Sequence, residues 1–223
     1  MEETELINLW KSYDKKLEES LSLNRKNAEE ITKMKVQSFL ISMKPLKIFT
    51  LLVGIVWVGV GSVIVTNLFV SAFTEVSKFF LFSAVIQLVL TAIAIVVYVY
   101  QLILIHQVDS NESVVKTQEQ LARLKSSTLW VTRVLFLQLP VWTTFYLSEG
   151  IFKNGNTLFY IVQGAVTFSF AYVAFWLFLH IRPENKDKKW FRLIFDGKEW
   201  TPVLKSMELL NQIEDYKTEI SLP

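Results

Sequence analysis

Three long runs without a charged side chain constrain this protein more than anything else in it. Between Lys47 and Glu75 lie 27 uncharged residues, between Lys78 and Asp109 another 30, and between Lys153 and Arg182 another 28, counting histidine as neutral. A helix rises about 1.5 Å per residue, so about 20 apolar residues cross the hydrocarbon core of a bilayer. Each run is long enough to do so. A soluble domain of this length would spread its apolar residues periodically around one core instead of collecting them in blocks. A fourth segment, "LWVTRVLFLQLPVWTTFYL" at 129–147, is also mostly apolar but carries Arg133 and Pro140.

The basic residues divide unevenly between the connections. Nine lysines and arginines precede the first run, counting Lys47; three lie in 106–128, and eight follow from Arg182 onward. The two remaining connections hold one each, Lys78 and Lys153. The positive-inside rule then places both termini in the cytoplasm, and an even number of spans requires 129–147 to cross as well. The expected fold is an all-α integral membrane protein with four transmembrane helices, at 48–73, 79–105, 129–147 and 156–180. Both ends carry amphipathic cytoplasmic helices. The units are a cytoplasmic arm at 1–47, a membrane bundle at 48–181 with a helical connection at 106–128, and a cytoplasmic tail at 182–223. The acidic, charge-rich start lacks the basic and short apolar regions of a signal peptide, so none is expected.

The arm reads Leu6, Trp10, Tyr13 and Leu17, then Leu21 and Ile31, with polar residues between them. The spacing of four, three and four marks one face of a helix. These residues are candidates for binding a cytosolic partner. The middle of the stripe is polar (Ser20, Asn24, Asn27), so a bend or a two-helix hairpin fits as well as one straight helix. After Glu30 every charge up to Lys47 is basic, which suits anionic headgroups. Pro45 predicts a break or kink where the first span begins. The 106–128 connection opens on the N-capping cluster "DSNES" and reads as a helix that can run into the third span.

Polar residues within the spans are few. Arg133 lies about one turn inside the cytoplasmic end and can snorkel to the headgroups. Gln87, Gln138 and Gln163 fall deeper, where amides bond across helices or line a polar cavity. No carboxylate lies within a span, which weighs against proton-coupled transport. Gly54, Gly59 and Gly61 on the first span, and Gly164, Thr167, Ala171 and Ala174 on the last, offer small faces for close helix approach. His106 and His180 fall at span ends.

The tail begins with "KKWFRLIFDGKEWTP" at 188–202. As a helix it segregates Lys188, Lys189 and Arg192 from Trp190, Phe191 and Phe195, and would lie in the headgroup plane. As a hairpin, Asp196-Gly197 would form its turn. In either form Trp190, Phe191, Phe195 and Trp200 are candidate interfacial anchors across 187–200. A helix at 202–220 follows, with Pro202 at its first turn.

The chain has no cysteine and two histidines, so neither metal nor cofactor is expected. A net charge of +2 gives no reason to expect nucleic acid. No nucleotide-binding, zinc-protease or serine-hydrolase motif is present, and no enzymatic activity is expected. Expected partners are the lipid bilayer, a cytosolic protein and, through the small-residue faces, further copies of the chain. A small oligomeric channel is the alternative function.

Three stretches, "SMKPLKIFTLLVGIVWV", "STLWVTRVLFLQLPVWTTFY" and "KKWFRLIFDGKEWTPVLKSMELL", resemble a family of small uncharacterised bacterial four-span inner-membrane proteins. The resemblance covers nearly the whole chain. It implies a bacterial inner-membrane location and an association with sigma factors of the extracytoplasmic-function type, hence an anti-sigma-like regulator. The zinc-binding His/Cys motif of familiar anti-sigma factors is missing, as is an outer sensor domain.

Overall fold

A computed structural model describes residues 3–108, 114–195, 197, 200 and 201–221; side chains are described within those limits except at 3–5, 114 and 213–221. Among the described residues there are seven α-helices and no strand. They are α1 (Glu3–Ser71), α2 (Lys78–Gln107), α3 (Val114–Phe136), α4 (Glu149–Asn154), α5 (Thr157–His180), α6 (Lys189–Phe195) and α7 (Thr201–Ser221). Three of them, α1, α2 and α5, are long and apolar enough to cross a membrane.

The first helix departs from the expectation of a break at Pro45 and from the two-helix hairpin. It runs unbroken for 69 residues, about 100 Å, from the arm through Pro45 into the span. Neither the polar middle of the stripe nor the proline ends it. Proline removes one N–H, here the donor to the Ile41 carbonyl, and the loss is local. On either side of Pro45, Met43 and Lys47 are fully buried against neighbouring helices, and that packing outweighs the missing bond. One continuous helix also puts Val36, Leu40, Met43 and Lys47 on a single face, and all four are buried.

This burial corrects the placement of Lys47 among headgroups. Its ammonium donates to Oε1 of Gln101 at 2.6 Å and sits 4.6 Å from the centroid of the Tyr98 ring. The helix phase set by the apolar residues on either side carries the lysine inward. A carbonyl oxygen and an aromatic face stabilise the cation there.

The segment 129–147 also departs from a single helix. Helix α3 stops at Phe136, short of Pro140. Tight turns follow, then a 3-10 turn at Val141–Thr143, then further turns to 146. Pro140 has no N–H to continue the ladder, and it disfavours helical backbone at Leu139. The broken segment still runs antiparallel along most of α2. Val131 packs on Ala94 and Tyr98, Gln138 bonds Thr91, Thr144 bonds Ser83, and the Ser77 hydroxyl donates to the Leu147 carbonyl.

The buried core gathers at the end of the spans that carries His106 and His180. Val36, Leu40 and Met43 of α1 meet Leu104, Ile105 and Val108, then Leu121 and Leu124 of α3 and Val203 and Leu210 of α7. Gln37 and Gln120 donate to the carbonyls of Val108 and Gln107, tying down the chain as it leaves α2. Beyond this junction most span side chains are exposed on the isolated chain, which is how helices dissolved in lipid look. Gly61 lets α1 and α2 approach closely: a Cβ there would stand 2.7 Å from Leu88 Cδ2. At Gly54 a Cβ would meet Ile95 at 3.2 Å, whereas Gly59 and Gly164 face open space. The small-residue face of α5 is therefore covered in part: Ala174 is buried, Thr167 and Ala171 are half-buried, and Gly164 is open.

Candidate functional site

The arm of α1 is the most exposed part of the described structure. Every residue at 6–28 is exposed, a free length of about 35 Å. On it Leu6, Trp10, Tyr13 and Leu17 line one face, with Trp10 75% and Tyr13 66% exposed. Leu21, one turn further, is exposed as well. The first buried side chain along α1 among those described is Val36, where α2, α3 and α7 close around the helix. Charges on the arm are spread along it, and Glu29 pairs with Lys33 one turn later at 3.2 Å. The sequence pattern located this face; only tertiary structure shows that no other part of the described chain covers it.

The aromatic segment after the last span has the opposite environment. Its residues form α6, and no strand replaces it; the Asp196 half of the proposed hairpin turn lies outside the described residues. Phe191 is 1% exposed and Trp200 4%. Phe191 stacks on Phe195 at 4.4 Å and meets Trp200 at 6.0 Å, and Trp190 contacts Trp176 of α5 at 5.0 Å. With Leu129, Leu177 and Ile181 these rings make one cluster joining the ends of α3 and α5 to the start of α7. They pack inside the protein, and Leu193 is the apolar side chain of α6 turned outward.

Arg133 completes this joint. Its Nε donates to the carbonyl of Ile181 at 2.5 Å, just past the end of α5. A guanidinium there satisfies a carbonyl that the helix leaves unpaired and complements the negative end of the helix dipole. His180 stays local: its ring stacks on Trp176 at 4.6 Å, and Nδ1 hydrogen bonds to the Trp176 carbonyl at 2.8 Å. His106 is exposed.

The glutamines surround the broken segment. Gln138 donates to Thr91 Oγ1 at 3.3 Å. Gln163 donates to the Thr143 carbonyl at 2.6 Å and to Thr167 Oγ1 at 3.0 Å, while its own oxygen accepts from Tyr146 at 2.6 Å. The Thr143 hydroxyl lies 2.7 Å from the Pro140 carbonyl and 3.1 Å from Thr167. A chain that leaves helical form in an apolar surrounding must find partners for its freed backbone groups, and these side chains supply several. Gln87 instead lines an apolar cleft of about 310 Å³ with Trp57, Trp142 and Phe145.

The buried trio of Lys47, Gln101 and Tyr98 was not visible in sequence. The signal was present in part: Lys47 falls at the helical spacing of Val36, Leu40 and Met43. A lysine beside a span is ordinarily drawn to headgroups, and that expectation masks the phase. Among the described residues no three of His, Asp and Glu come together as a metal site. Comparison with family models, curated proteins and solved structures finds no match for this chain, so its function is argued from its own geometry.

Proposed function

We propose that the protein is a membrane-anchored interaction module that binds a cytosolic protein through the exposed arm of α1. One observation carries this: an apolar stripe of Leu6, Trp10, Tyr13 and Leu17 stands free on a helix rooted firmly in the junction below. Aromatic anchors on a rigid helix are the usual carriers of binding energy, because little side-chain freedom is lost when they dock. In this proposal the chain lies in a bacterial inner membrane with both termini in the cytoplasm. The broken segment 129–147 makes the fourth crossing. It lies alongside α2 from Tyr98 to Ser77, and the short connections at the other end carry few basic residues. The sequence resemblance points to a sigma factor as the partner, and the protein would then be an anti-sigma-like regulator. A channel is less favoured, because the amides of Gln138 and Gln163 bond within the chain rather than facing a free lumen.

The test compares the wild type with a Trp10→Ala, Tyr13→Ala, Leu17→Ala variant. Both are purified from membranes after in-cell crosslinking, with a single cysteine introduced beside the stripe. A partner crosslinked to the wild type and lost from the variant, at equal membrane content, supports the proposal. The same crosslinked set from both proteins, or none from either, overturns it.

A further inference from the structure

A groove lies where α3, α6 and α7 meet, about 640 Å³ in volume. Its floor is Phe191, Phe195 and Trp200, whose cluster continues directly into Leu177 and Ile181 at the end of a span. Lys125, Lys186 and Arg192 stand on its walls, together with the acids Asp187 and Glu208. Asp187 reaches Arg192 at 4.0 Å, which leaves Lys125 and Lys186 as the other cations among the described lining residues. Burial first, and the charge of Lys186 second, hold the Lys125 ammonium below the usual lysine range. Lys125 makes no ion pair among the described residues. Two like charges held together in a partly dry groove cost stability unless an anion joins them.

We propose that this groove binds the headgroup of an anionic phospholipid. The lysines would take the phosphate, and the half-buried Leu204 and Met207 of α7, above the aromatic floor, would lie against the glycerol and upper chain. The position of the groove favours a lipid as the source of phosphate: its lining begins a few residues after the end of α5, and its aromatic floor packs on Leu177 and Ile181 at that end, where headgroups would meet a membrane protein. The assignment is independent of any partner on the arm of α1.

The experiment uses the full chain in detergent and follows thermal unfolding by tryptophan fluorescence. Phosphatidylglycerol, phosphatidylcholine or inorganic phosphate is titrated in. Phosphatidylglycerol is expected to raise the unfolding midpoint and the other two to leave it in place. Lys125→Gln and Lys186→Gln should each weaken the apparent lipid affinity about five-fold, whereas Lys205→Gln, on the exposed face of α7, should not. Lys125→Gln should also raise the lipid-free midpoint, because it removes a half-buried like charge. Lys186 is exposed, so its variant keeps the test open if Lys125→Gln fails to fold. Three results would each overturn the assignment. They are equal shifts with the two lipids, an equal shift with inorganic phosphate, and an equal loss on Lys205→Gln.

Discussion

The arm of α1 and the α6 joint look alike in one dimension and opposite in three. Both are amphipathic and carry aromatic side chains on their apolar face, and both lie outside the long apolar runs. Yet Trp10 is 75% exposed and Trp200 is 4% exposed. The difference is company. The arm extends beyond the junction, and no described part of the chain covers its stripe. Helix α6 is folded back by the turns after α5 onto the ends of α3, α5 and α7. An amphipathic pattern therefore states that a face seeks an apolar partner. It does not state whether the chain itself supplies one.

Mutations can break this contrast. The largest effect is expected at the joint: Phe191→Ala removes a fully buried ring and should cost about 3–5 kcal/mol in equilibrium unfolding in mixed micelles. A loss under about 1 kcal/mol would place Phe191 in the same class as the arm. Next is Gln101→Leu, which takes a carbonyl acceptor from the buried Lys47 ammonium. A loss of about 2–3 kcal/mol is expected, since hydrogen bonds to charged groups are the stronger ones. Smaller and opposite in sign is Ser206→Ala. Ser206 is fully buried on α7 and its hydroxyl finds no partner. Removing it should stabilise the junction by about 1 kcal/mol, read as a rise in the unfolding midpoint. The smallest stability effect is expected on the arm. Trp10→Ala should leave stability within about 0.5 kcal/mol of wild type, while crosslinking to a partner falls. A large stability loss there would mean that the stripe is covered in the folded protein.

The resemblance between helix periodicity and outcome was uneven along the chain. The helical tail, the helical connection leading into α3 and the three apolar helices were legible, because each depends on local spacing or on a long uncharged run. Helix α7 runs from Thr201, one residue from where Pro202 at the first turn places it. Three features were not legible. Pro45 reads as a helix end, but buried neighbours carry the helix through it. Pro140 reads as a flaw in one span, but it divides 129–147 into a helix and a set of turns held by Thr143, Thr144, Gln138 and Gln163. Two prolines with the same local chemistry thus have different results, decided by what surrounds them. Lys47 reads as a headgroup contact and is instead enclosed.

Sequence alone determined that this is a helical chain with several segments apolar enough for a membrane, and where the amphipathic faces lie. Those properties follow from each residue's preference for lipid or water and from a repeat of about 3.6 residues, which need no knowledge of neighbours. Tertiary structure decided which faces are used. It buried α6 and Lys47, left the arm of α1 bare, and set Lys125 beside Lys186 in a groove. Burial and charge pairing join residues far apart along the chain, so a local pattern cannot hold them. The helix phase states which residues share a face, and the packing states what that face meets.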